Sequence, residues 1–458
     1  MGLGINLCVA LSVTLLAVTV TALEDRYGLT KYATKTPYVL SHNETEWDIV
    51  INSTRQQSYY VPSQCRPISV DLIQRHGTRN PGNGDTAATQ EIAARIKDKV
   101  MNPDYAGLND WNPPFTPEGA SMLIEEGKHE LFGLGSRMAS RYPEIFDDIA
   151  LDDIDYMATS KIRTVDSGIA FQEGFSAALS RNLTGPLVER DDILRFYDHC
   201  EKYIQEVEDN EEAFEEVNDY YNLPRLQQIG DDVAERIGLE GASLTFDDME
   251  VIYSTVLIEI ARVGSSPWFG VFTDEELALL EYGADMQNYY EESYAYPISY
   301  QQSCVLFSSV FDQMADSLAK ESSGESYTKG TFRFAHSQAI MATSTITGLY
   351  EPPVPLRADN YEELLYTRRY RSATTVPKAA NLEFVLYKCD TTGEVGTPPL
   401  GVSWPDTLQE YMVQFLLNEI PIKFPACDSD LCPYDQVVNT YSDYIGCNFE
   451  ELCAVESK

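Results

Sequence analysis

The chain has 458 residues and a formal charge of −39, from 72 acidic against 33 basic residues. That length suffices for a large core and two or three domains. So strong an acidic excess keeps a chain soluble and repels polyanions at long range, which argues against nucleic acid as a partner. Any phosphate-binding site must then be a local positive island, and low pH would ease the conflict by protonating surface carboxylates, whose reference pKa is about 4.

Residues 1–22 carry an apolar run from Ile5 to Val20 that closes on Val20-Thr-Ala22, the pattern of a secretory signal peptide. The run is short for a bilayer span and has no polybasic flank, and no later segment reads as a span. The closing Val455-Glu-Ser-Lys458 has no endoplasmic-reticulum retrieval signal. The expected location is therefore secreted, or the lumen of the secretory or endolysosomal pathway. Removing the signal takes Cys8 and leaves Cys65, Cys200, Cys304, Cys389, Cys427, Cys432, Cys447 and Cys453. An even number in a secreted chain argues for four disulfides, whose pairing the spacing does not choose. No cysteine pair sits beside a matching histidine pair, so a zinc site is not expected. Sequons at Asn43, Asn52 and Asn182 mark expected glycosylation sites on the surface.

Residues 23–64 are polar and read as an N-terminal arm. Ile68 to Gln74 alternates as a strand. Thr86 to Met101 reads as a helix, and Thr116-Pro-Glu-Gly119 opens a second that runs to about Arg141. Ile154 to Thr159 reads as a strand and Val165 to Leu179 as a helix. From 180 to 325 helical periodicity dominates, as in Met249 to Arg262. Glu201 to Glu216 is a solvated acidic face, without the spaced Asp/Asn loop of a calcium site. Strands return at Thr331–Ala335 and Leu382–Lys388. The tail from Cys427 reads as irregular and stapled. The expected architecture is three-layer α/β with a central, mostly parallel sheet, formed by 65–179 and 326–458, plus an inserted all-α domain at 180–325.

Residues 75–81, Arg-His-Gly-Thr-Arg-Asn-Pro, follow the first strand. An imidazole can attack phosphorus, and guanidiniums match phosphate oxygens as planar forks. Arg163 lies between a predicted strand and a helix, at the edge where α/β sheets bind ligands. His336, in Arg333-Phe-Ala-His-Ser-Gln338, lies at another strand end. A lone histidine or arginine in such places is ordinarily structural; basic residues at three predicted strand ends together are not ordinary.

The string at 75–81 resembles the signature of the histidine acid phosphatases. With Thr159–Phe171, Leu194–Cys200, Val376–Leu382, Phe384–Cys389, Leu417–Pro421 and Tyr441–Cys453, the chain is similar over nearly all its mature length to the multiple inositol polyphosphate phosphatases. The resemblance implies hydrolysis of inositol polyphosphates, phytate included, with no cofactor and no metal. It implies His76 as nucleophile and Arg75, Arg79, Arg163 and His336 as the phosphate pocket. Together with strand placement it implies the disulfides Cys65–Cys389, Cys200–Cys304, Cys427–Cys432 and Cys447–Cys453. It fixes neither the ring position attacked nor the oligomeric state.

One residue departs from the family pattern. Two positions after His336 the family carries a glutamate as proton donor; here Gln338 stands, and its carboxamide has no titratable proton. Ser337 offers no carboxylate either. A nearby acid such as Glu201 or Asp166 could substitute, or water could protonate a good leaving group, or the protein binds phosphorylated ligands as an impaired pseudophosphatase. Mutase-like phosphoryl transfer shares the Arg-His-Gly loop but suits a cytosolic chain.

Overall fold

The computed structural model describes residues 31–42, 46–47, 50, 60–399, 402–427 and 429–455. The signal segment and the sequons at Asn43 and Asn52 fall outside these residues; Asn182 is described and exposed.

The sheet is built around β1 (Cys65–Arg75), where every residue but Arg66 is buried. β1 pairs in parallel with β4 (Gly330–Ala335), β4 with β2 (Ile154–Ala158), and β2 with β3 (Val188–Glu189). On its other side β1 runs antiparallel to β5 (Asn381–Cys389), followed by β6 (Tyr411–Leu417) and β7 (Ile420–Pro421). β8 (Cys432–Pro433) also pairs with β6. The order β3-β2-β4-β1-β5-β6-β7 thus keeps the parallel strands together on one side.

Alternation along the strands explains the layers. On β5, Leu382, Phe384 and Leu386 face one apolar cluster while Val385 and Tyr387 face another. The second cluster holds α2 (Glu125–Arg141) and α3 (Ile162–Leu179) on one face, through Leu131, Leu134, Phe171 and Phe175. The opposite face meets α6 (Cys304–Ser323) and α7 (Ser337–Ile346) through Phe307, Phe311 and Ile340. That cluster continues into α1 (Asn83–Ile96), α4 (Phe246–Val263) and α5 (Asp274–Glu292). Helices α4 and α5 start from capping boxes, Thr245 with Asp248 and Thr273 with Glu276. No helix among the described residues is long and apolar enough to cross a membrane.

Three expectations change. The helix expected from Thr116 breaks into a short 3₁₀ turn, Pro117–Gly119, and α2, because Ser121 takes a left-handed backbone (φ 61°) between them. The tail after Cys427 is helical, with α8 (Tyr434–Thr440) and α9 (Phe449–Cys453). Two disulfides change partners. Cys65–Cys389 and Cys427–Cys432 form as expected, the first between residues directly opposite on β1 and β5. Cys200, however, bonds Cys453, and Cys304 bonds Cys447, in place of Cys200–Cys304 and Cys447–Cys453. Cys447 lies two residues before the start of helix α9 and Cys453 is its last residue, so the helix holds the two cysteines at opposite ends. Each tail cysteine instead crosses to the helical stretch between β3 and β4, stapling the chain's end to it twice.

Candidate active site

The carboxyl ends of three adjacent parallel strands converge. In register, Arg75 stands beside Ala335 and Phe334 beside Ala158. His76 and Thr159 extend the ladder past the strand ends, donating their backbone N–H to Ala335 (3.1 Å) and Phe334 (3.2 Å). His336 caps the N-terminus of α7, and Arg163 is the second residue of α3. Two helix N-termini therefore face the same place, and their dipoles favour an anion there. His76, Arg75 and His336 are buried, and Arg79 and Arg163 half-buried.

The His76 loop is clamped from several sides. Glu130 of α2 accepts from the Thr78 N–H (2.7 Å) and hydroxyl (2.8 Å). Ser167 of α3 accepts from the Gly77 N–H at 3.2 Å and donates to the Arg163 carbonyl at 2.7 Å. Asn80 donates to Gly119 and accepts from Arg262 of α4 (2.6 Å). Gly77 is required by contact, not by a turn: a Cβ there would lie 2.3 Å from the Gly127 carbonyl oxygen. The loop rests directly on α2.

The ring tautomers follow from the partners. His76 Nδ1 lies 2.9 Å from the Gly77 carbonyl oxygen, which can only accept, so Nδ1 carries the proton and Nε2 keeps its lone pair. Burial, then Arg75, His336, Arg79 and Lys378, push the His76 pKa well below the usual histidine range. Both effects favour the neutral imidazole. The His336 ring stands edge-on to it, with centroids 5.6 Å apart. Arg163 Nη2 reaches His336 Nδ1 at 3.3 Å, and since a guanidinium only donates, Nε2 of His336 carries the proton toward Thr159 Oγ1 at 3.0 Å.

Residues 68–418 match the family described as "Histidine phosphatase superfamily (branch 2)". The chain belongs to this family. Multiple inositol polyphosphate phosphatase 1 of Gallus gallus is 30% identical over 399 residues, spanning 86% of this chain and 85% of that protein. The crystal structure of the phytase from D. castellii shares the fold at a TM-score of 0.70 and 18% identity, covering 90% of this chain and 89% of its own. So does Bifidobacterium longum multiple inositol polyphosphate phosphatase in complex with inositol hexasulfate, at 0.64 and 18%, covering 88% and 95%. As a branch-2 member the protein is a phosphoric monoester hydrolase.

The structure of this phosphatase brings together all five residues named from sequence, His76, Arg75, Arg79, Arg163 and His336, and adds two that the sequence reading missed. Lys378 is 1% exposed, on the segment whose Ala379 N–H donates to the His76 carbonyl. Lys35, on the 3₁₀ turn Ala33–Lys35 of the N-terminal arm, lies within electrostatic reach of Arg79 and Arg75. Lys378 sits in the string Val376–Leu382, but nothing local marks its charge as acting on His76. Among the described residues no carboxylate lies within 4.0 Å of Arg75, Arg79, Arg163, Lys35 or Lys378. Arg75 Nη1 is taken by the carbonyls of Thr34, Val376 and Pro377, and Arg79 Nη1 by that of Asn80. The Nε atoms of Arg75, Arg79 and Arg163 are buried without a partner. Burial and then mutual repulsion lower Arg75 to about 9 and Lys35 to about 8, and lower Lys378 well below its ordinary value. This is the positive island that the net charge demanded.

Gln338 stands at the start of α7, half-buried, its Oε1 accepting from Ser337 at 3.3 Å. The two stand-in acids considered from sequence are not brought in. Glu201 is exposed, and Asp166 is half-buried on α3 with its charge acting on Lys128. The described residues include no group of three or more His, Cys, Asp or Glu placed to hold a metal ion.

Proposed function

We propose that this phosphatase hydrolyses phosphate monoesters of inositol polyphosphates through a phosphohistidine at His76. The observation that carries the reading is the His76 imidazole set among buried and half-buried cations that, among the described residues, have no carboxylate partner. Buried charges are normally paired, and here a phosphate would be the counter-ion. Nε2 of His76 attacks phosphorus while Arg75, Arg79 and Arg163 hold the nonbridging oxygens, and His336, accepting from Arg163, orients that guanidinium. Lys35 and Lys378 add charge beyond what one phosphate needs, which favours a polyphosphorylated substrate. The inositol hexasulfate complex of the Bifidobacterium relative supports the same class. Disulfides, the signal-like leader and an exposed sequon at Asn182 support a secreted or lumenal protein.

The second reading, a phosphoinositol-binding pseudophosphatase, rests on Gln338. Phytate and a phenolic phosphate, each assayed from acid to neutral pH, separate the two. Acid-quenched enzyme given labelled substrate should carry acid-labile phosphate that His76→Ala lacks. No turnover of either substrate, combined with thermal protection by inositol hexakisphosphate, would establish the binding reading instead.

A further inference from the structure

Position 338 cannot donate a proton, yet one buried carboxyl beside the site has no task. Glu292 is the last residue of α5 and 6% exposed; its Oε2 is fully buried with no hydrogen-bond partner. Helix α5 packs against both the 3₁₀ turn carrying Lys35 and helix α7, which begins at Ser337 and Gln338. Its end is held against the far end of α7, where Ser293 Oγ lies 2.8 Å from Thr345 Oγ1, about two turns beyond Gln338.

The groups that face Glu292 come from four directions. Arg75 of β1 and Lys35 of the arm attract it, and Glu291 of its own helix repels it. Tyr197, Tyr203 and Tyr370 feel its charge. Burial, then Glu291, outweighs the two cations, so the carboxyl holds its proton well above the usual carboxylate range. Glu130, the half-buried acid beside the loop, has both oxygens occupied by Thr78.

We propose that Glu292 is the acid that protonates the leaving oxygen, the role Gln338 cannot fill; this rests on the phosphohistidine reading above. As the bond from His76 Nε2 to phosphorus forms, the bond from phosphorus to the inositol oxygen breaks, and that oxygen takes the Glu292 proton. Water then attacks the phosphohistidine and returns a proton to the Glu292 carboxylate. The P–N bond breaks and phosphate leaves. Ester and water give alcohol and phosphate, and both side chains are restored.

An inositol alkoxide needs its proton as the bond breaks; a nitrophenolate does not. Glu292→Gln should therefore lower turnover of inositol hexakisphosphate by about 10²–10³-fold and of 4-nitrophenyl phosphate by less than about threefold. It should also abolish the fall in inositol hexakisphosphate turnover at rising pH. Adding Gln338→Glu to Glu292→Gln should restore at least about tenfold of the loss. Equal losses on both substrates, or none, would overturn the assignment. Thermal melting checks that Glu292→Gln folds. If it does not, Gln338→Glu alone decides: with Glu292 already donating, the gain on inositol hexakisphosphate stays below about threefold, and a larger gain means position 338 was the missing acid. Acid-labile phosphate on the wild type separates failure of this assignment from failure of the phosphohistidine reading, which its absence would sink.

Discussion

One charge cluster lies between α2 and β5 and another at the carboxyl ends of the parallel strands, and they are built on opposite rules. Behind the sheet, Arg141 is 2% exposed and bonds both Glu383 (2.8 Å) and Glu419. Arg137 also bonds Glu419 (2.7 Å), whose other donor is the Tyr38 hydroxyl at 2.9 Å. Although burial pushes Glu419 up, Arg137 and Arg141 override it and hold the carboxyl at about 2. Every charge there has a partner. At the strand ends, Arg75, Arg79, Arg163, Lys35 and Lys378 have carbonyls, one imidazole and each other. The first cluster is finished without a ligand and serves the fold. The second costs the fold stability, and a bound anion would lower that cost. Buried charge alone does not mark a site; buried charge of one sign without its counter-charge does.

The comparison breaks most visibly at His76. His76→Ala should reduce turnover by on the order of 10⁴-fold or more, as loss of a nucleophile does. It should leave the melting temperature close to wild type, because the ring's one described hydrogen bond is to its neighbour's carbonyl. A steady-state assay and a thermal scan on the same preparation read both. Retained activity would remove the second cluster from catalysis.

Glu419→Gln tests the first cluster and should act the other way, costing about 3–5 kcal/mol of stability by stranding two buried arginines, with little change in kcat for protein that remains folded. Its pH dependence follows from the sign of the shift. The folded pKa of about 2 lies below the ordinary 4.5, so the unfolded chain takes the proton first. The stability is fully present above about pH 4.5 and is lost as pH falls toward 2. Urea melts across that window should slope for wild type and flatten for the variant.

How much of this was legible follows the same division. The α/β class, the strand ends, His76 and its arginine partners were readable because they lie in contiguous strings whose chemistry is local. Lys35 and Lys378 were not: their role comes from Lys378 N–H bonding Thr36 and Ala379 N–H bonding His76, contacts between segments about 300 residues apart that no periodicity announces. Glu292 was hidden for the same reason, as the end residue of an acidic helix. The pairing of Cys200 with Cys304 fails because the tail is helical: α9 ends on Cys453, which bonds Cys200, and Cys447 just ahead of that helix bonds Cys304. The antiparallel strand β6, paired with β5 on one side and with β7 and β8 on the other, went unread as well.

Arg163→Lys sharpens the catalytic side. Arg163 Nη2 contacts His336 and its Nε is free, so a phosphate can take a planar fork that an ammonium does not reproduce. The expected loss is about 3 kcal/mol of transition-state stabilisation, on the order of 10²-fold in kcat/KM, with phosphohistidine formation slowed in step. Full activity in this variant would place Arg163 outside the pocket.

The smallest effect is the most discriminating, because the two clusters predict opposite signs for it. Lys378 is 1% exposed and has no carboxylate partner among the described residues; burial first, then Arg75, Arg79 and Lys35, disfavour its charge, with Glu130 as the opposing influence. A buried cation held among like charges is destabilising whether it stays charged or gives up its proton to avoid them. Replacing it with the apolar, similarly shaped methionine should leave the fold unchanged or raise its stability by about 1 kcal/mol. The same change should weaken binding of inositol hexakisphosphate by roughly tenfold, as one charge-assisted contact is lost. Stability and affinity then move in opposite directions on one substitution, read by thermal melting with and without inositol hexakisphosphate. If Lys378→Met instead destabilises the empty protein by several kcal/mol, its ammonium is paired as Arg141 is, and the lysine belongs to the scaffold and not to the site.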